Sequence, residues 1–181
     1  ASLPTGVGKT NVIAVWLLAL LARPGGMPRR LVYVVNRRTV VDQTTAEVQR
    51  LRTNLQRLEP RPFDTLAIST LRGQFADNRE WSADPSRPAV TCGTVDMIGS
   101  RLLFSGYRIG FKSRPLHAGL LGQDALLVHD EAHLEPAFQQ LVTDIAAEQR
   151  RERDNGCESP APELKVMALS ATAREDSAAS A

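Results

Sequence analysis

Two periodicities alternate along this chain. Residues 31–35 form a continuous apolar run rich in β-branched side chains, which is typical of a strand covered on both faces. Strands are also predicted at residues 65–69, 89–94, 125–129 and 164–170. Between these segments, apolar residues recur at the three-to-four spacing of helices that bury one face. The chain is therefore predicted to alternate between strands and helices.

Four helices are predicted in the gaps between strands. Residues 9–22 form a largely apolar helix that ends before a Pro-Gly-Gly sequence, and residues 40–58 carry a single apolar stripe. Two further helices are predicted at residues 96–104 and 135–153, the latter with Pro136 in its first turn. Alternation of this kind implies an α/β fold with a mostly parallel sheet and helices on both faces. In such folds ligands bind at the carboxyl ends of the strands.

The remaining long stretches are polar and contain prolines. Residues 73–88 and 154–162 are predicted to be loops. Trp81 is expected to anchor the first loop, although stacking on a nucleic-acid base is an alternative. Trp16 lies on the apolar first helix and is expected in the core. His117 is interpreted as a structural histidine in a further loop.

Length and composition agree with a single globular domain. The chain has 181 residues, of which 43% are apolar and 23% charged, an ordinary balance for a folded domain. Cys92 and Cys157 are far apart, which excludes a disulfide scaffold or a zinc ribbon and agrees with a reducing cytoplasm. The longest apolar run, residues 12–22, is about half of the roughly twenty residues that a membrane-spanning helix needs. No membrane partner is expected.

Positive charge is concentrated in one part of the chain. Residues 23–61 contain nine arginines but only three carboxylates, whereas the whole chain has a net charge of only +2. Guanidinium groups match phosphate oxygens, so this segment favours a polyanionic partner. The alternative is an arginine-rich face that is simply exposed to solvent.

Residues 3–10, with the sequence Leu-Pro-Thr-Gly-Val-Gly-Lys-Thr, form the most informative segment. Its two glycines permit a tight loop whose backbone N–H groups surround phosphate oxygens, and the following helix offers its positive end. Lys9 would reach the β- and γ-phosphates of ATP, and the Thr10 hydroxyl would bind Mg²⁺. The alternative is a structural glycine-rich turn before a helix. The residues predicted to bind the nucleotide are Thr5, Gly6, Val7, Gly8, Lys9 and Thr10.

A second candidate site follows the strand predicted at residues 125–129, where two carboxylates are adjacent. Phosphoryl transfer requires one carboxylate to hold Mg²⁺ and another to orient and deprotonate the attacking water. Asp130 suits the first role and Glu131 the second. His129 and His133 have the spacing of a helical zinc site, but that motif requires glutamate directly after the first histidine, and a strand is predicted here. A purely structural acidic turn is the remaining alternative.

Three ordered motifs together resemble those of superfamily 2 helicases. They are Thr-Gly-Val-Gly-Lys-Thr at residues 5–10, Asp-Glu-Ala-His at residues 130–133 and Ser-Ala-Thr at residues 170–172. Leu3 stands where the strict phosphate-loop pattern has glycine, a departure that the helicase form tolerates. Residues 32–43 and 91–96 further resemble the CRISPR-associated helicase–nuclease of type I interference systems. The resemblance implies a three-layer RecA-like P-loop domain, the first of two motor domains.

The resemblance also implies roles for individual residues. Lys9, Asp130 and Glu131 would be catalytic, with Thr10 and Asp130 on the metal. The residues that would couple nucleotide state to the strand-binding surface are His133, Ser170 and Thr172. The residues that would contact the nucleic-acid backbone are Asn36, Arg37, Arg38, Thr70, Arg72, Gly93 and Thr94. Alternatively, Arg37 and Arg38 begin a solvated helix, and Ser170 and Thr172 cap a following helix.

Function and partners are expectations that follow from the resemblance. The chain has no initiator methionine and ends after a predicted strand, and it is interpreted as a piece: one ATP-binding domain over residues 1–181. A second RecA-like domain and a nuclease domain would lie elsewhere in the protein. The expected activity is ATP-dependent movement on single-stranded DNA in CRISPR interference, with the effector complex as partner and little hydrolysis by the piece alone. The alternatives are another superfamily 2 motor, such as an RNA helicase or restriction translocase, and a nucleic-acid-binding module with a vestigial ATP site.

Overall fold

A parallel β-sheet forms the centre of the domain. The computed structural model describes residues 8–23, 25–57, 66–72, 80–157 and 161–170. The strands are β1 (Arg30–Val35), β2 (Ala67–Leu71), β3 (Ala89–Thr94), β4 (Ala125–Asp130) and β5 (Lys165–Leu169). They lie in the order β2-β3-β1-β4-β5, and each pairing within this sheet is parallel. The α/β fold with a mostly parallel sheet is confirmed.

Helices cover the sheet on both faces and complete three layers. They are α1 (Asn11–Ala22), α2 (Arg38–Leu55), α3 (Glu80–Ala83), α4 (Val95–Leu102), α5 (Arg114–Gly122) and α6 (Pro136–Asp154). One core cluster joins α1 and α2 to the sheet, and the other joins α4, α5 and α6 to its opposite face. In the described part of the chain, no helix is long and apolar enough to cross a membrane.

β1 shows why the sequence of a central strand is apolar without alternation. Leu31, Tyr33 and Val35 point towards the layer of α1 and α2, whereas Val32 and Val34 belong to the opposite core. All five side chains are at most 3% exposed. Successive side chains of a strand point to opposite faces, so a strand between two helical layers buries every position.

Two short helices differ from the sequence prediction. α3 lies in the stretch predicted as a polar loop, and α5 occupies the segment where a loop histidine was expected. Trp81 on α3 is 1% exposed, which confirms its predicted anchoring role. His117 lies on α5, with its ring centroid 4.9 Å from that of Trp81. Tertiary packing around this indole, which sequence periodicity does not report, accounts for the difference.

The carboxyl ends of all five strands meet along one edge of the sheet. Val35 pairs with Thr94, Leu71 with Gly93, and Asp130 with Leu169. The last residues of neighbouring strands therefore lie side by side at this edge. The chain crosses from one half of the sheet to the other between β3 and β4, which makes this edge the expected place for a ligand.

Candidate active site

The described part of the predicted phosphate loop leads directly into α1. Gly8 has φ +66°, a conformation that favours glycine, and a Cβ there would lie 2.6 Å from Asn11 Nδ2. The backbone N–H of Asn11 donates to the Gly8 carbonyl at 2.8 Å and starts the helix. Lys9 and Thr10 lie between Gly8 and the first residue of the helix. Thr5, Gly6 and Val7 lie outside the described residues.

Lys9 contacts both predicted catalytic carboxylates. Its Nζ lies 3.5 Å from Asp130 Oδ1 and forms an ion pair and hydrogen bond with Glu131 Oε1. Burial lowers the pKa of Lys9, but the hydrogen bond that Lys9 donates to Glu131 and the charges of both carboxylates outweigh this effect and leave the pKa raised. Residues that are more than 120 positions apart in sequence are thus joined by one ammonium group.

Asp130 ends β4 with one carboxylate oxygen held and the other turned towards Lys9. The Tyr33 hydroxyl donates to Oδ2 at 3.0 Å. Oδ1 is buried and accepts no hydrogen bond from any described residue. A carboxylate oxygen of this kind together with the Thr10 hydroxyl makes a hard-oxygen donor set, which suits Mg²⁺ bound through one carboxylate and substrate phosphates. The residues present therefore fit the implied metal.

Tyr33 is a site residue that the sequence analysis missed. Burial, followed by the charge and hydrogen bond of Asp130, raises the pKa of Tyr33 above its usual value, so the hydroxyl remains a donor. The only sequence signal was a phenol within an otherwise aliphatic strand. Its partner lies 97 residues away, and only the pairing of β1 with β4 brings the two together.

Glu131 begins the turn that leaves the sheet. It has φ +54°, an uncommon conformation for a residue with a side chain, and it precedes a single 3₁₀ turn over Ala132–Leu134. His133 Nδ1 lies 3.4 Å from Glu131 Oε2 and 3.1 Å from Ser170 Oγ. A chain of contacts therefore runs from the carboxylate to the end of β5. Thr172, the third predicted coupling residue, lies outside the described residues.

The two histidines of the zinc alternative do not converge. The His129 ring is buried, with Nδ1 2.9 Å from Gln139 Oε1 and its edge against the Phe138 ring. Burial lowers the pKa of His129 and favours its neutral form. His133 is exposed and faces Ser170. No cluster of three or more metal-ligating side chains occurs within the described ranges, so the zinc alternative is not supported.

The predicted nucleic-acid residues lie along the same carboxyl edge. Asn36, Arg37 and Arg38 follow β1, and both arginines are exposed at the start of α2. Asn36 Oδ1 is buried and has no hydrogen-bond partner among the described residues. Gly93 and Thr94 end β3, directly before α4. Together these positions form the strand-end rim, in which Arg37 and Arg38 are exposed whereas Gly93 and Thr94 are buried.

Two other predicted nucleic-acid residues contact α2. Arg72 forms an ion pair with Asp42. The Thr70 hydroxyl lies 3.1 Å from that of Thr45, which in turn donates to the Val41 carbonyl at 2.8 Å. These contacts orient the end of β2 against α2. The two side chains thus have protein partners, which a nucleic-acid phosphate would have to share or replace.

Comparison with known proteins identifies the family. A model of the DEAD/DEAH box helicase family matches residues 1–180 of the chain. The chain belongs to the DEAD/DEAH box helicase family. Among solved structures, it is similar to the helicase domain of Hef from Pyrococcus furiosus, with 21% identity and a TM-score of 0.49. The alignment covers 94% of this chain and 29% of the Hef chain, so this chain spans less than a third of that protein's length. No curated protein matches the chain.

Membership of the DEAD/DEAH box family agrees with the arrangement of side chains at the carboxyl edge of the sheet. Helicases of this type are ATP-dependent nucleic-acid motors, so the expectation of a superfamily 2 helicase domain is confirmed at the level of the family. The helicase motifs that the sequence suggested are the segments that the sheet brings together: Lys9, the Asp130–Glu131 pair and Ser170.

Proposed function

We propose that the chain is the ATP-binding half of an ATP-dependent translocase or helicase that acts on single-stranded DNA in CRISPR interference. The observation that carries the motor part of this proposal is the contact of Lys9 with both Asp130 and Glu131 at the carboxyl edge of the sheet. Residues 1–181 would form one RecA-like domain. A second RecA-like domain and a nuclease domain would belong to the same protein, in a cytoplasm compatible with the unpaired thiols of Cys92 and Cys157.

ATP would bind with its β- and γ-phosphates against Lys9 and the N-terminus of α1. Thr10 and Asp130 would hold Mg²⁺, which neutralises charge on the phosphates during transfer. The phosphate oxygens compete with Glu131 for the ammonium of Lys9, because both are anions that need the same donor. Release of Glu131 from this ion pair leaves its carboxylate available to orient water and accept a proton.

The contacts of His133 offer a route from the nucleotide to the strand end. This side chain lies between Glu131 and Ser170, so a change in the position of Glu131 alters its hydrogen-bonding partners. Ser170 and Thr172 would transmit that change towards the nucleic-acid rim. We assign these residues to coupling rather than to chemistry, since His133 contacts both Glu131 and Ser170 and so joins the carboxylate to the end of β5.

The rim formed by strand ends would bind the phosphate backbone. Asn36 and Thr94 would offer polar side chains, Gly93 would offer its backbone N–H, and Arg37 and Arg38 would offer exposed guanidinium groups. Thr70 and Arg72 would join them from β2. Contacts of this kind position a strand without reading its sequence. Single-stranded DNA and the CRISPR effector complex are the partners that the resemblance of residues 32–43 and 91–96 supports.

Two other functions remain to be separated by experiment. Another superfamily 2 motor, such as an RNA helicase or restriction translocase, would use the same ATP site. A binding module with a vestigial ATP site would not bind and hydrolyse ATP. The site retains Lys9, Thr10, Asp130 and Glu131, which favours a working site over a vestigial one. Unwinding of matched DNA and RNA duplexes by the full-length protein, with and without a DNA-loaded effector complex, distinguishes the motors.

Substitution Lys9→Ala tests the ATP site itself. Loss of the ammonium removes the cation that meets the β- and γ-phosphates, so we expect Mg²⁺–ATP affinity to fall by at least about tenfold. Isothermal titration calorimetry measures the affinity, and circular dichroism checks that the fold is retained. The substitution Lys165→Ala, at an exposed position on β5, is the matched control and leaves affinity unchanged. Equal affinity in the wild type and Lys9→Ala would contradict the assignment.

A further inference from the structure

The connection between α4 and α5 exposes three aromatic rings. This aromatic–basic loop, residues 103–114, contains Phe104, Tyr107 and Phe111, which are 56%, 55% and 82% exposed. Isolated apolar side chains are normal on a protein surface, but three rings within eight residues form a local concentration. None of them belongs to the two core clusters, so folding of this domain does not account for their presence.

Positive charges alternate with these rings. Arg108, Lys112 and Arg114 form no ion pair in the part of the chain that the structure describes, and residues 97–123 contain no aspartate or glutamate. The Arg108 guanidinium carbon lies 5.4 Å from the centre of the Tyr107 ring, and that of Arg114 lies 5.9 Å from the centre of the Phe111 ring. The Tyr107 and Phe111 rings are therefore each presented beside a cation rather than beside a carboxylate.

The backbone of the loop is folded tightly beneath these side chains. The N–H of Ser105 donates to the Ser100 carbonyl at 2.8 Å, and that of Ile109 to the Gly106 carbonyl at 3.2 Å. A Cβ at Gly106 would lie 2.3 Å from Ile109 Cδ1, so no larger residue fits without movement. Phe104 and Arg108 both have φ +56°, which is uncommon for residues with side chains. The exposed rings are thus held outward by a specific turn.

The loop is separate from the carboxyl edge of the sheet. α4 starts at that edge, immediately after Thr94, and its eight residues extend about 12 Å before the loop begins. No residue of the loop contacts Lys9, Asp130 or Glu131 in the described structure. Any ligand of the loop is accordingly bound outside the proposed ATP site.

We propose that the aromatic–basic loop is a second contact for single-stranded nucleic acid, in which the rings stack on bases and the cations meet the adjacent phosphates. The charge and the flat rings match the two repeating features of an unpaired strand. The inference goes beyond the proposed function, because neither ATP nor the strand-end rim takes part. The loop then binds an unpaired strand at a site away from the carboxyl edge of the sheet.

Binding of a labelled oligothymidylate to the full-length protein without nucleotide tests this assignment. Fluorescence anisotropy measures affinity for the oligothymidylate and for an abasic strand of equal length. Stacking of one base on one ring contributes about an order of magnitude in affinity. We therefore expect Phe104→Ala/Tyr107→Ala/Phe111→Ala to lose at least about tenfold for the oligothymidylate but less than about twofold for the abasic strand.

The cations are tested through salt dependence. Each phosphate contact with a single strand contributes about 0.7 to the log–log salt slope. The double substitution Arg108→Gln/Lys112→Gln should therefore lower the slope by about 1.4. The control Arg150→Gln/Arg151→Gln removes two exposed arginines from α6 and should leave the salt slope unchanged. Val15→Ala/Leu18→Ala removes exposed apolar groups from α1 and is the control for the aromatic variant.

Conservative replacement keeps the test decisive if the triple variant does not fold. Tyr107→Phe/Phe111→Trp retains both rings and should bind the oligothymidylate as the wild type does. Equal losses on both strands, or none on either, would overturn stacking. Preference for vesicles of phosphatidylserine over the oligothymidylate would instead identify a membrane surface. Lys9→Ala, which should lose nucleotide binding, should bind the oligothymidylate as the wild type does. Failure of the ATP-site assignment is therefore distinguishable from failure of the assignment of the aromatic–basic loop.

Discussion

At the scale of single residues, the site is a cluster of charges whose partners come from distant parts of the chain. Lys9 comes from the loop before α1, and both of its carboxylate partners come from the end of β4. An ammonium group between two carboxylates gains from both charges, and the raised pKa of Lys9 reflects that gain despite the cost of burial. A phosphate that binds here therefore competes with an existing electrostatic interaction.

Substitution of each carboxylate should separate their roles. In the full-length protein, Glu131→Gln should still bind Mg²⁺–ATP, at least as tightly as the wild type because it removes an anion that competes for Lys9, but should turn it over at least about 100-fold more slowly, since the base for water is lost. Asp130→Asn should also raise the Mg²⁺ concentration required for half-maximal activity, because the metal loses a charged ligand. Steady-state ATPase assays across a Mg²⁺ titration measure both effects. Identical metal dependence and turnover in the two variants would show that the roles are wrongly divided.

The substitution Tyr33→Phe tests whether the phenol positions the metal ligand. Loss of a hydrogen bond to a charged group costs about 1.5–3 kcal/mol, so the Asp130 carboxylate becomes less well held. We expect the Mg²⁺ concentration for half-maximal ATPase activity to rise at least about threefold.

The chain provides a matched control for this change. Tyr107→Phe removes the hydroxyl of the other tyrosine, which is exposed on the aromatic–basic loop, and should leave the Mg²⁺ dependence unchanged. If Tyr33→Phe lowers stability without altering the Mg²⁺ dependence, the hydroxyl has a structural role only.

At the scale of elements, sequence periodicity identified the parts with regular, extensive burial. β1 and β4 were predictable because strands covered on both faces are apolar at most positions. α3 and α5 were missed for the opposite reason: they are short, and Trp81 and His117 pack against each other through tertiary contact. The motifs indicated Lys9 and the carboxylates, whereas Tyr33 depended on pairing between β1 and β4, which local sequence does not encode.

The junction of β3 and α4 depends on a small residue at Gly93. A Cβ there would lie 2.9 Å from both Cγ1 and Cδ1 of Ile98 and 3.2 Å from Leu71 Cβ, and Ile98 is fully buried. Gly93→Ala should therefore destabilise the domain by about 1–3 kcal/mol through overpacking. Chemical denaturation monitored by circular dichroism measures the change.

Gly119→Ala is the control for this substitution. Gly119 lies within α5, where the nearest atom to an added Cβ is Gln123 Oε1 at 4.0 Å. Alanine in a helix is favoured over glycine by up to about 1 kcal/mol, so this variant should be neutral or more stable. Equal stability of Gly93→Ala and the wild type would mean that the Ile98 side chain adapts, and that close packing does not explain the glycine.

At the scale of the whole molecule, the described residues would provide one wall of the proposed nucleotide site. Lys9, Thr10, Asp130 and Glu131 all lie at one edge of one sheet, and the exposed arginines at the start of α2 are proposed for the nucleic acid. Charge that develops on the transferred phosphoryl group in P-loop enzymes is commonly met by an arginine from a second domain or partner. Such a residue accounts for roughly 10³–10⁵ in rate in the GTPase and G-protein cases.

The 181-residue chain alone should therefore hydrolyse ATP slowly, and single-stranded DNA should not stimulate it. Coupling requires two domains to close together around the nucleotide, and one domain cannot close on itself. A phosphate-release assay with and without DNA measures this directly.

The matched measurement uses the same residues with a second RecA-like domain in the same polypeptide. There we expect DNA to raise turnover by at least about 100-fold, with Glu131→Gln abolishing the increase. Nucleotide binding by the 181-residue chain, measured by calorimetry, shows that a low rate does not reflect unfolding. DNA-stimulated hydrolysis by the chain alone would mean that these residues contain the complete catalytic machinery, and the proposal of a half-motor would then be wrong.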